Sequence, residues 1–136
     1  MLDHTGIFVT ASQHADVIKW YETVLAPLGY KKHITEGPNG EVVGLSDNGI
    51  HADWWLISTT EELNDKPKMH HAFVAKDRAA VDAFHAAALG IGSKDNGKPG
   101  VRAQYHAHYY AAFVFDPLGH NIEVVCHAGF VPSGQD

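Results

Sequence analysis

The chain has 136 residues, 45% of them hydrophobic, which suits one ordinary domain or two small modules sharing a core. A net charge of -6 without any lysine or arginine cluster excludes a nucleic-acid-binding surface, and apolar runs no longer than that of Ala111 to Phe115 exclude a membrane-spanning helix. Cys126 is the single cysteine, so neither an internal disulfide nor a cysteine-built zinc site is available, and a bound metal would draw on carboxylates and the 11 histidines.

Met1-Leu2-Asp3-His4 lacks the basic and apolar regions of a signal peptide, which sets the expectation of a cytoplasmic protein. His4-Thr5-Gly6-Ile7-Phe8-Val9 reads as a strand. A helix follows, with Ser12 as its expected cap, Val17, Tyr21, Val24 and Leu28 on one face, and Gly29 as its stop. Short strands come next, separated by Gly37-Pro38-Asn39-Gly40 and Asp47-Asn48-Gly49.

The same grammar returns after a polar connector that carries Pro67. His70-His71-Ala72-Phe73-Val74-Ala75 is a strand, Asp77 a cap, and Val81, Phe84, Ala88 and Leu89 an apolar stripe that ends at Gly90 and Gly92. Asp95-Asn96-Gly97 and Asp116-Pro117-Leu118-Gly119 break the strands of this half. His4 and His70 hold equivalent places in the repeat. The expected organisation is a first βαβββ module over residues 1–60, a linker over 61–68, a second module over 69–128 and a tail over 129–136. Halves this small should pair, within the chain or across a dimer, and leave a cleft between curved sheets.

His4-x-Gly-Ile-Phe-Val, the helix end Tyr21-Glu22-x-Val24-Leu25-x-Pro27-Leu28-Gly29-Tyr30 and the closing Phe115-Asp116-Pro117-Leu118-Gly119-His120-Asn121-Ile122-Glu123 together resemble the vicinal-oxygen-chelate superfamily of glyoxalase I, bleomycin-resistance proteins and extradiol dioxygenases. The resemblance implies an α+β fold of two tandem βαβββ modules, with curved mixed sheets around a cleft and one amphipathic helix per module. It implies one divalent metal ion, iron, manganese, nickel or zinc, held by His4, His70 and Glu123. Two imidazoles and a carboxylate form a facial triad that leaves positions open for water or a bidentate substrate. An acid within the β-branched run Asn-Ile-Glu-Val-Val is costly to bury unless it is paired or metal-bound.

The residue matching Glu123 in the first half falls within Asp53-Trp54-Trp55-Leu56, at Asp53 or Trp55 depending on the gap chosen, and no glutamate stands there. Asp53, Trp55, Trp54 and the weaker candidate His51 are therefore the substrate-binding candidates, with core packing the alternative for Trp54. In Gln104-Tyr105-His106-Ala107-His108-Tyr109-Tyr110, strand alternation would place Tyr105 and Tyr109 on one face and His106 on the other. Tyr105, His106 and Tyr109 are the candidate acids, bases or hydrogen-bond donors to a metal-bound oxygen. The order His, His, Glu resembles extradiol dioxygenases, while lyase or isomerase chemistry on a substrate with vicinal oxygens is equally compatible. The other reading is a metal-free protein of the bleomycin-sequestering kind, stacking a planar ligand on Trp54, Trp55, Tyr105 and Tyr109. The partners expected are a small-molecule substrate or ligand and a second copy of the chain in a homodimer, with no nucleic acid and no membrane.

Overall fold

The computed structural model describes residues 1–129. Among them the elements follow in the order β1 (Thr5–Thr10), α1 (His14–Leu25), β2 (Lys31–Glu36), β3 (Val42–Ser46), β4 (Trp54–Thr59), β5 (His70–Val74), α2 (Arg78–Gly90), β6 (Asp95–Val101), β7 (Tyr110–Phe115) and β8 (Asn121–Cys126). They make two four-stranded sheets, β1-β4-β3-β2 and β5-β8-β7-β6. In each sheet the first strand runs parallel to the last and the remaining pairs are antiparallel. This is the α+β, twice βαβββ architecture expected from the repeat. The tail expected over 129–136 lies outside the described residues beyond Gly129.

The local signals act as their chemistry dictates, with some departures. Asp77 caps α2 by accepting the Ala80 N–H at 2.8 Å, and Gly29 takes the left-handed conformation, φ 89°, that stops the first helical segment. Ser12 does not cap α1. It lies in a tight 3-10 turn, Ala11–Gln13, whose own hydrogen bond from the His14 N–H to the Ala11 carbonyl satisfies the start of the helix. Asp95-Asn96-Gly97 is not a break between strands but the opening of β6, where the pairing to β7 is irregular and the Asp95 carboxylate accepts the Gly97 N–H. Leu89, expected in the apolar stripe, is 44% exposed, whereas Val81, Phe84 and Ala88 are buried.

A single core joins the two halves. Helix α1 packs against α2, and Trp54 of β4 meets His71 and Phe73 of β5 with ring centroids 4.8 and 5.1 Å apart. Across the same junction the Tyr21 hydroxyl donates to Asp116 at 2.5 Å and the Trp20 indole N–H to the Ser93 hydroxyl at 2.6 Å. The period of two along the strands then fixes what lies outside the core. Ile7 and Val9 turn inward while Gly6 and Phe8 turn out, and His71 and Phe73 turn inward while His70, Ala72 and Val74 turn out. The helices and the inner faces of both sheets enclose the core, so the faces bearing the candidate residues are open on the outside of the chain.

Candidate functional site

On the open face of the second sheet, Glu123 sits on central strand β8, level with Ala72 of β5 and Phe113 of β7. It is only 3% exposed although it is not a core-facing residue. Its cover is the segment 102–109, which folds back so that the Arg102 N–H reaches the Tyr109 carbonyl at 2.7 Å. The Tyr109 hydroxyl donates to Glu123 Oε1. Burial, followed by this bond and the charge of Glu123, pushes the Tyr109 phenol up to about 12. Tyr109 therefore stays protonated and serves as a donor to the carboxylate.

The other carboxylate oxygen, Oε2, lies 3.1 Å from His70 Nε2. His70 Nδ1 is 3.0 Å from the Asn121 carbonyl, which can only accept, so Nδ1 carries a hydrogen. A neutral His70 would thus turn the bare lone pair of Nε2 toward a carboxylate oxygen. Two acceptors in that position need a proton or a cation between them. The donor set fits a divalent metal: an imidazole whose remote N–H is fixed by a backbone carbonyl, beside a carboxylate fixed by a hydroxyl. Among the described residues, no group of three His, Cys, Asp or Glu side chains converges to complete the coordination.

Strand register identifies the first-half counterpart. Trp55 is level with Gly6 of β1 and Gly44 of β3, just as Glu123 is level with Ala72 and Phe113. Trp55, not Asp53, therefore takes the place of Glu123. The same register makes His4, two residues before Gly6, the counterpart of His70, two before Ala72. The exchange is one of size as well as charge. A Cβ on Gly44 would come within 2.9 Å of the Trp55 ring and closer still to Ala52 Cβ, and one on Gly6 within 2.6 Å of the Trp55 carbonyl oxygen and 2.8 Å of its Cβ, so both neighbours of Trp55 are held to glycine, the indole contributing at Gly44. In the second half the bulk belongs to Phe113, and the smaller acid stands beside it.

His4 remains apart from His70 and Glu123. Its exposed ring lies 2.6 Å from the Asp3 carboxylate and edge-on to Trp55 at 6.4 Å between centroids. His51 lies 3.3 Å from the same Asp3 oxygen. Asp53 precedes β4 and does not share the face of Trp55: its carboxylate accepts the Tyr30 hydroxyl of the core at 3.1 Å, and burial raises its pKa. Trp54 is 1% exposed and belongs to the core, which removes it from ligand stacking.

The expected strand over Gln104–Tyr110 is a loop up to Tyr109, with turns closed by the Tyr105 N–H on the Arg102 carbonyl and the Tyr109 N–H on the His106 carbonyl. Strand alternation would have separated His106 from Tyr109, but the turn brings their rings to 5.4 Å. Tyr105 is 63% exposed and packs on Tyr109. His106 Nε2 lies 2.8 Å from Nδ1 of His127, a residue that is not among the candidates named from the sequence. Also missed were the Asn121 carbonyl and Phe113, against which the His70 ring is stacked at 6.3 Å. Only strand pairing reveals either of them.

These sheets and their register build the fold shared by solved glyoxalase and bleomycin-resistance proteins. Solved structures show the same likeness. A glyoxalase/bleomycin resistance protein from Albidiferax ferrireducens T118 is 22% identical at a TM-score of 0.64, over 90% of this chain and 96% of that one. A glyoxalase/bleomycin resistance protein/dioxygenase family enzyme from Burkholderia phytofirmans PsJN is 16% identical with a TM-score of 0.68, over 92% and 97%. The lactoylglutathione lyase from Agrobacterium tumefaciens is 18% identical with a TM-score of 0.59, over 93% and 96%. No protein-family model and no curated protein sequence matches the chain. No helix among the described residues is long and apolar enough to cross a membrane.

Proposed function

We propose that the chain is a divalent-metal-dependent member of the glyoxalase and dioxygenase superfamily acting on a small organic substrate with vicinal oxygens. The observation that carries this reading is the His70–Glu123 pair. A nearly buried carboxylate and an imidazole nitrogen face each other at 3.1 Å, and each is oriented from behind, by the Tyr109 hydroxyl and the Asn121 carbonyl. Iron, manganese, nickel or zinc suits this donor set. When bound, such an ion acts as a Lewis acid toward the vicinal oxygens of the substrate.

The third ligand in this reading is His4 of a second copy, brought opposite by a homodimer. Two features support that arrangement: β1 and β5 end their sheets with edges unpaired among the described residues, and Val74 stands 71% exposed on the open face of the second sheet. The chain's own residues then divide the remaining work. Tyr109 orients Glu123, His106 next to His127 can move a proton at the edge of the site, and Trp55 offers a flat wall beside His4. Lyase, isomerase and ring-cleaving dioxygenase chemistry are all compatible with these groups.

Trp55 also favours a second reading. Replacement of an acid by an indole laid against two glycines suits a metal-free protein that stacks a planar ligand. Elemental analysis of the tag-free protein beside His4→Ala, His70→Ala and Glu123→Ala separates the two. The first reading expects about one metal per chain in the parent, lost in all three variants. A parent that refuses added iron, manganese, nickel and zinc would overturn the first reading and point to the second.

A further inference from the structure

One concavity lies beside the edge of the first sheet, away from the His70–Glu123 pair. A cavity of about 500 Å³ lies between β1, the connector 60–69 and the 117–120 turn, and none of His4, Trp55, His70, Tyr109 or Glu123 lines it. Its volume falls within the usual range for small-molecule pockets. Phe8, Leu63, Pro67, Met69, Pro117 and Leu118 supply apolar wall. Phe8 and Met69 are 60% and 50% exposed, so a ligand there would cover apolar surface that the chain itself leaves bare.

The polar groups of the cavity are matched to an anion. His120, 8% exposed, accepts the Met69 N–H on Nδ1 at 2.9 Å, which leaves its hydrogen on Nε2. Nε2 has no partner among the described residues. Lys66 and Lys68 also line the cavity, with the Lys68 stem lying along Gly119, and neither lysine has an ion-pair partner among the described residues. Glu61 is the one acid in the lining. Two ammonium groups and the Nε2–H of a largely buried histidine around an apolar hollow select a molecule with a charged head and a hydrocarbon body.

We propose that this cavity is a second binding site, for a small amphiphilic anion carrying a carboxylate or sulfonate on an apolar body. It uses none of His4, His70, Tyr109 and Glu123, so the failure of this proposal and the failure of the metal reading are distinguishable.

The test is titration of octanoate, with 1-octanol as neutral control, into the isotope-labelled full-length protein, following amide shifts by NMR. Saturable shifts at Gly6, Met69 and Leu118, with Glu123 and Val125 unmoved, are expected. Lys66→Gln with Lys68→Gln should weaken octanoate about tenfold and leave octanol unchanged, as befits the loss of charge-assisted hydrogen bonds. Leu63→Trp should fill the cavity and abolish both. Both lysines are exposed, so the double variant tests the site even if Leu63→Trp does not fold. Shifts centred on Val74 and Glu123, equal binding of octanol and octanoate, or an unaltered affinity in the lysine variant would each overturn the proposal. So would octanoate binding that disappears as protein concentration rises, which would assign the cavity to a second copy of the chain.

Discussion

Removing one oxygen, by Tyr109→Phe, isolates the interaction that orients Glu123. The carboxylate is 3% exposed and has two directional neighbours, the Tyr109 hydroxyl and His70. Without the hydroxyl, one buried oxygen loses its donor, which costs on the order of 1–3 kcal/mol. The raised phenol pKa agrees in direction: burial first, then the bond to Glu123 and its charge, keep the proton on the hydroxyl. The direction with pH follows from the raised value. The stabilisation is fully present below pH 10, the value for the unfolded phenol, and disappears as pH rises through about 12. Urea unfolding of parent and variant in chelator, at pH 7 and across the alkaline range, reads both quantities. A variant as stable as the parent at pH 7, or a stability difference that persists unchanged above pH 12, would refute the assignment of Tyr109 as a donor to Glu123.

Asp116→Ala should be far more damaging, because the buried carboxylate accepts from the Tyr21 hydroxyl and from the Leu118 and His120 N–H groups, tying the helix of one half to the turn of the other. A loss of about 3 kcal/mol or more is expected in urea unfolding, and less than 1 kcal/mol would contradict that role. Gly44→Ala should cost about 1–3 kcal/mol through overpacking, because its Cβ would lie 2.8 Å from Ala52 Cβ and 2.9 Å from both Ile34 and the Trp55 ring. Trp55→Ala should relieve only part of that loss in a double-mutant cycle, since the Ala52 and Ile34 contacts remain.

What the sequence discloses is what depends on neighbours in the chain. The helix stripes, the Asp77 cap, the glycine turns and the Asp-Pro-x-Gly hairpin act over a few residues and were readable. Glu123 was readable because an acid in a β-branched run is conspicuous wherever it folds. The 102–109 loop was not, since its alternating aromatic and polar residues imitate a strand. Its actual course is set from outside, where the Arg102 guanidinium bonds the Lys98 and Gly100 carbonyls and lies over the Phe113 ring at 5.4 Å. The choice between Asp53 and Trp55 likewise had no local answer, because it rests on the pairing of β1 with β4. Nor does any short-range signal say that Trp54 should meet Phe73 and so leave both site-bearing faces open.

The unlike chemistry of the two halves makes the proposed dimer testable by mixing. If the second half of one copy meets the first half of the other, every centre draws His4 from one chain and His70 with Glu123 from its neighbour. His4→Ala and His70→Ala homodimers then contain no complete centre. A heterodimer of the two contains one complete centre and one doubly defective centre, because the defects fall on the same side. Random exchange makes half the dimers heterodimers, so an equimolar mixture should recover about a quarter of the parent's metal. Association of like halves would instead oppose two His70–Glu123 pairs at one centre and two Trp55 walls at the other. Mixing would then restore nothing beyond the sum of the separate variants, as it also would if a single chain held the metal. Recovery near one quarter, appearing only after subunit exchange, is the outcome that only the unlike pairing yields.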